Sequence, residues 1–189
     1  MKKIISIFLS VLCLCMFSAC DFIDEFNQGF SDGMKAQSVV YFDDYDYSVQ
    51  FPSGWEKLEN DNFDLRCSLN DGEQHALFWV YNDLDLSKDS TRNSIYKEGI
   101  DNILSARQNV ELIEDEKTAT TGNKTITTIL YSAEKESTKF YYYYCLVEIE
   151  GTDDYFWVLF TAVPSVAQKN IDKWNSITES IAPVTKSEQ

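Results

Sequence analysis

The sequence predicts an α+β domain, an antiparallel sheet of about six strands held between two amphipathic helices as an α/β/α sandwich. Three observations predict it. The segments ALFWVY at 76–81 and YFWVLFTAV at 155–163 are apolar on both strand parities, so neither face of either strand can meet water. Two further segments repeat apolar residues at helical spacing and can cover those faces. In the C-terminal half the connections are short and turn-rich, a length that joins only antiparallel neighbours.

The elements follow in order. YSVQF at 47–51 reads as a strand that runs into the turn Pro52-Ser53-Gly54, after which Trp55 opens WEKLE. FDLRCSL at 63–69 alternates Phe63, Leu65, Cys67 and Leu69 with polar partners, and Asn70-Asp71-Gly72 turns it into strand 76–81. Residues 89–107 place Ile95, Tyr96, Ile100, Ile103, Leu104 and Arg107 on one helical face, with Asp89 or a nearby hydroxyl as the cap. Strands then return at 110–114, 125–131, 140–150 and 155–163, and the last three form a meander. Pro164 stops the final strand. Ser165 and Gln168 fit a capping box for a helix from 166 to about 181, whose buried stripe is Val166, Ile171, Trp174, Ile177 and Ile181. Pro183 ends it.

The N-terminus is of another kind. Lys2 and Lys3 precede an uncharged run from Ile4 to Phe17 and the small residues Ser18 and Ala19, the order of a signal peptide. The run falls short of the roughly 20 apolar residues a membrane-spanning helix needs. Phe17-Ser18-Ala19-Cys20 resembles the lipobox of bacterial lipoproteins, with Phe17 where Leu is usual. The resemblance implies that the Cys20 thiol receives a diacylglyceryl group and that cleavage makes Cys20 the new N-terminus, open to further acylation, palmitate included. Two acyl chains suffice for stable anchoring, so membrane lipid is the first expected partner, on the extracytoplasmic side of a bacterial cell envelope. Cys13 and Cys15 leave with the leader. The expected organisation is a signal peptide at 1–19, a lipidated N-terminus and tether at 20–44, one domain at 45–183 and a tail at 184–189. Within the tether, Phe22, Phe26, Phe30 and Met34 at four-residue spacing leave a short helix open as an alternative to a plain spacer.

Charge narrows the partners. The formal net charge is -15, and loss of Lys2 and Lys3 with the leader takes it to -17, because no acid leaves with them. Such a surface repels nucleic acid and anionic head groups, so the lipid and not electrostatics must hold the domain at a membrane.

Cys67 and Cys145 remain in a compartment that permits disulfides, and either a Cys67–Cys145 bond or two buried thiols fits their inward positions. His75 is the sole histidine. Any Ser-His-Asp or Cys-His arrangement must use it, and its place between a turn and a core strand suits a surface or capping role better. One histidine and two distant cysteines do not make a zinc site of the usual spacing. Asp83, Asp85, Ser87 and Asp89 have the odd-position rhythm of a calcium loop, but Lys88 stands where glycine is needed and Ser94 where the bidentate Glu is needed. Asp43, Asp44 and Asp46 read as a solvated loop, with a weak divalent ion as the sharper alternative. No glycine loop for phosphate, dinucleotide fingerprint or nucleophile elbow is present. No cofactor, metal or catalytic set is therefore expected.

In FYYYYCLVEIE at 140–150, Tyr141, Tyr143, Cys145, Val147 and Ile149 share the core parity, while Tyr142 and Tyr144 share the parity of Glu148. Tyr142 and Tyr144 are the candidate binding surface, since tyrosine offers apolar area with a polar tip, while rings packed under a helix with hydroxyls at the rim are the reading that their setting favours.

Tyr47 to Phe51 with Pro52, Gly54 and Trp55, a single central helix, a meander and a closing helix ending in Ser180-Ile181 are together similar to the PsbP-like domain, over about residues 45–182. That resemblance implies a non-catalytic binding or assembly factor and supplies no catalytic motif. The expected function is thus a membrane-anchored envelope lipoprotein that binds an envelope protein or component. A carrier of a small apolar ligand between sheet and helix is the alternative.

Overall fold

The computed structural model describes residues 37–59, 62–69, 72–82 and 91–184. The chain runs β1 (Ser38–Tyr41), β2 (Tyr47–Phe51), β3 (Trp55–Lys57), β4 (Leu65–Leu69), β5 (Gln74–Asn82), α1 (Arg92–Ser105), β6 (Gln108–Thr121), β7 (Lys124–Lys135), β8 (Thr138–Ile149), β9 (Asp154–Ala162), α2 (Pro164–Glu179) and β10 (Ala182–Pro183). Seven strands form one sheet in the order β3-β4-β5-β9-β8-β7-β6, and β1-β2-β10 form a small second sheet. All pairings are antiparallel.

The order has a simple origin. The helical crossover after β5 sends β6 to the far edge, and the meander β6-β7-β8-β9 folds back until β9 pairs with β5 along its whole length, from Gln74–Ala162 to Asn82–Asp154. The two apolar strands of the sequence are therefore the central neighbours. Each parity feeds a different core. Ala76, Phe78, Val80, Phe156, Val158 and Phe160 face α2 and the small sheet, where Val49, Phe51, Trp174 and Ile177 cover them. Tyr155, Trp157 and Leu159 face α1, beneath Tyr96, Ile100 and Leu104. The α/β/α arrangement is thus present, with the small sheet sharing the work of α2.

Several expectations need correction. The tether was expected to run to residue 44, but Ser38–Tyr41 pairs with β2 and Phe42 is buried in the core. The strand expected at 110–114 spans 108–121, because register shifts let it follow β7 to its end. Its side chains are almost all exposed on both faces, so it carries no burial pattern to read. Helix α2 starts at Pro164, with Val163 as N-cap and no side-chain cap bond, so the Ser165–Gln168 box does not form. Proline suits the first helical position, where its missing N–H would have had no helical partner and its fixed φ is already helical. The cap of α1 is, as expected, a hydroxyl near Asp89: Thr91 Oγ1 accepts the Ser94 N–H at 3.2 Å.

Phe63 also departs from the expected alternation. Its ring packs edge-on against Trp79 at 4.9 Å, on the α1 side of the sheet, whereas Leu65 and Cys67 face α2.

Candidate binding surfaces

Among the described residues, a groove lies on each side of the sheet, one lined by β5, β9 and α1 and the other by β6, β7, β8 and α2. On the α1 side, Trp79 and Trp157 are direct cross-strand partners with ring centroids 4.3 Å apart, and Tyr81 and Tyr155 repeat the pairing at 5.4 Å. Gly99 lets α1 approach this row closely. Beside that contact, Ile95, Glu98, Asn102 and Ile103 of the helix and Trp79 and Tyr81 of the sheet border a groove of about 290 Å³. Arg92 at the start of α1 lies 5.3 Å from the Tyr155 ring centroid and bonds Glu148 at 2.8 Å, which fixes that end of the helix over β8 and β9.

On the α2 side, β6 and β7 overhang the helix and leave a groove of about 400 Å³. Its floor is Ile126, Thr128 and Tyr143, and its walls carry Lys117, Asp172, Asn175 and Glu179. Tyr143 donates its hydroxyl proton to Asn175 Oδ1 at 2.7 Å, and Lys117 bonds Glu114 at 2.6 Å, so much of the polar lining is already paired. Burial, with the nearby Cys145 thiol adding to it, pushes the Tyr143 hydroxyl above its ordinary value. It remains a neutral donor.

Tyr142 and Tyr144 do not form a surface. Tyr142 is 4% exposed and Tyr144 0%, both under α1. The packed-ring reading holds instead, because the helix covers the strand as far as Glu148. The Tyr142 hydroxyl accepts the Arg107 Nε proton at 2.8 Å, and the Tyr144 backbone carbonyl accepts the Tyr96 hydroxyl at 3.2 Å.

Cys67 and Cys145 are both buried as free thiols. β4 and β8 are three strand spacings apart, with β5 and β9 between them, which is about 14 Å at about 4.8 Å per strand. A disulfide needs Cα atoms within about 7 Å, so the bonded alternative is excluded by topology. Desolvation pushes each thiol up to about 12, far from nucleophilic reactivity.

Cys20 and the calcium-like stretch at 83–90 lie outside the described residues. Asp43 is paired with Lys57 at 2.7 Å in an exposed position, and Lys57 also bonds the Tyr41 carbonyl, so it ties β3 to the end of β1. Among the described residues no group of three His, Cys, Asp or Glu side chains is arranged to hold a metal ion. His75 lies half-buried on the α1 side of β5, opposite Ser68 and Thr161, with Nδ1 buried and unpartnered. Sequence reasoning passed over Arg66, whose alternation in a strand looked like an ordinary solvent-facing position. In the fold its Nε is buried without a partner.

No family model matches the chain, and no curated protein sequence matches it either. Solved structures do. The cyanobacterial PsbP protein of Synechocystis superimposes with a TM-score of 0.60 at 8% identity, over 78% of this chain and 92% of that one. LpqN, involved in cell envelope biogenesis of Mycobacterium tuberculosis, gives 0.56 at 14% identity, covering 79% of this chain and 91% of its own. The Ran-binding protein Mog1p of Saccharomyces cerevisiae gives 0.54 at 10% identity, covering 80% and 97%. At such identities the likeness is one of fold, and the fold of this chain is PsbP-like.

Proposed function

We propose that the chain is exported, acylated at Cys20 and held at a bacterial envelope membrane, where its domain acts as a non-catalytic binding or assembly module for a protein or envelope component. The observation that carries this reading is that both faces of the central sheet are packed shut by the chain's own α1, α2 and small sheet. Recognition then falls to the two open grooves and the sheet rim. The fold it shares with an envelope-biogenesis protein and a Ran-binding protein supports the same reading. The leader and the Phe17–Cys20 sequence supply the anchor.

A carrier of a small apolar ligand is the second reading, favoured by the groove of about 290 Å³ beside α1. The close fit of Gly99 on Trp157 counts against it, because the helix closes directly on the ring there and the groove beside it is open rather than enclosed. The test is fractionation of cells expressing the full chain, with metabolic labelling by an alkyne fatty acid. Label on the wild type and its loss, with release from the membrane, in Cys20→Ala are expected. Intact protein in the detergent-free soluble fraction with residue 20 unmodified would refute the anchor. Cross-linking of the labelled protein in its native envelope, followed by mass spectrometry, then identifies what the domain holds.

A further inference from the structure

The chain carries 31 acidic residues against 16 Lys and Arg, so a half-buried arginine without a carboxylate is unexpected. Arg66 is one. Its Nε is buried with no hydrogen-bond partner, and none of the ion pairs among the described residues includes it. The carboxylates near it in sequence and register are directed elsewhere. Asp64, two residues earlier, accepts the Val80 N–H at 2.7 Å through Oδ2. Glu56 sits opposite Ser68 at the exposed sheet edge, a diagonal neighbour of Arg66 that makes no ion pair with it.

The register gives Arg66 a companion. Arg66 pairs with Leu77 and Ser68 with His75, so Arg66 and His75 are diagonal neighbours on one face, with backbones about 7–8 Å apart. That is the α1 side, since Leu77 packs on the cluster beneath α1. His75 also holds a buried, unpartnered ring nitrogen, Nδ1. Two adjacent side chains thus each keep a buried nitrogen unpaired, a condition that disfavours the fold while nothing occupies it. Burial first, then the charges of Arg66 and Lys135, lowers the His75 pKa, so the local field at this spot is positive on a molecule that is strongly negative overall.

We propose that Arg66 and His75 form a binding site for a single carboxylate. The guanidinium fork matches two carboxylate oxygens, and the neutral imidazole supplies one further N–H. A carboxylate is preferred to a phosphate dianion because the net charge of -15 repels the second negative charge. Leu77 and Trp79, partly buried next along β5, give the carboxylate's carrier an apolar bed. The carrier is either a small organic acid or the carboxylate of a partner polypeptide, and the site chemistry is the same for both.

His75 is the sole histidine, so its Cε1–H resonance reports on the site in the intact chain without ambiguity. The experiment is an NMR titration of the full-length chain in detergent with benzoate, with an acetylated tripeptide ending in a free carboxylate, and with neutral benzamide. A carboxylate-dependent shift of the His75 resonance is expected, together with a rise in its pKa as the bound charge favours the imidazolium. Arg66→Gln should weaken the effect at least tenfold, Arg66→Lys should retain part of it, and benzamide should have none. The tighter of the two carboxylates names the carrier. A silent resonance with both acids, a shift unchanged in Arg66→Gln, or one reproduced by benzamide would overturn the site. Thermal unfolding supplies the control. Arg66→Gln should melt at or above the wild-type temperature, because it relieves an unpaired cation; a large drop would show that Arg66 holds the fold instead and would equally overturn the proposal.

Discussion

A Cβ at Gly99 would sit 2.6 Å from the Trp157 ring, so this mid-helix glycine is retained for space. Elsewhere in a helix, replacing glycine by alanine gains about 1 kcal/mol. Here Gly99→Ala should instead lose about 1–3 kcal/mol of unfolding free energy in urea, because the ring is clamped between Trp79 and α1 and cannot yield. On the opposite face, Trp174 donates its indole N–H to Gln74 Oε1 at 2.9 Å in a fully buried contact. Trp174→Phe strands that amide and should cost about 1–3 kcal/mol, whereas Gln74→Met combined with it should recover part of the loss. His75 carries a pH signature. Its folded pKa is lowered by burial and by Arg66 and Lys135, so below about 6.5 the unfolded chain takes up the proton first. Stability should therefore fall as pH drops from about 6.5 toward the folded pKa, and His75→Gln should flatten that part of a melting-temperature profile. These positions show what a strand pattern can convey. Parity correctly sent Tyr143 and Cys145 inward, but it could not by itself decide between water and a covering helix for Tyr142 and Tyr144, since cover is supplied by residues distant in sequence.

At the scale of elements, β6 is a 14-residue edge strand with Val110, Leu112 and Ile113 exposed. Such an edge invites pairing with another chain. It is guarded by register shifts along its first half and by the acidic run Glu114-Asp115-Glu116. Replacing Asp115 and Glu116 together with valine should promote concentration-dependent assembly, read by size-exclusion chromatography with light scattering. Unchanged elution at high concentration would show that the bulges alone suffice. The cysteine-bearing strands give a chemical check on topology. Cys67 and Cys145 should resist alkylation in the native protein and react fully on denaturation without reductant, as counted by intact mass. Helices and central strands were legible because each has an internal period set by a single buried face, or by two. β6 was legible only in part, since a strand wet on both sides follows its neighbour and not a pattern of its own.

At the scale of the molecule, the layered class followed from two doubly apolar strands and two covering helices, before any pairing was known. The order of the sheet did not. That β9 rather than β6 pairs with β5 depends on where the helical crossover delivers the chain, which local sequence does not encode. The small sheet was hidden for a related reason. β1 and β10 are short and weakly buried, and each exists only because β2 is there to receive it. Ala182 pairs with Ser48, Val184 donates its N–H to the Asp46 carbonyl, and Ser180 Oγ accepts the Gln50 N–H at 2.9 Å. The two ends of the described chain thus meet on one strand. A protein synthesised from its N-terminus has β2 ready early and its clasp last. The nascent domain stays unlatched until β10 has been made, and a stop codon ahead of Ala182 leaves β2 with an open edge that quality-control proteases can grip.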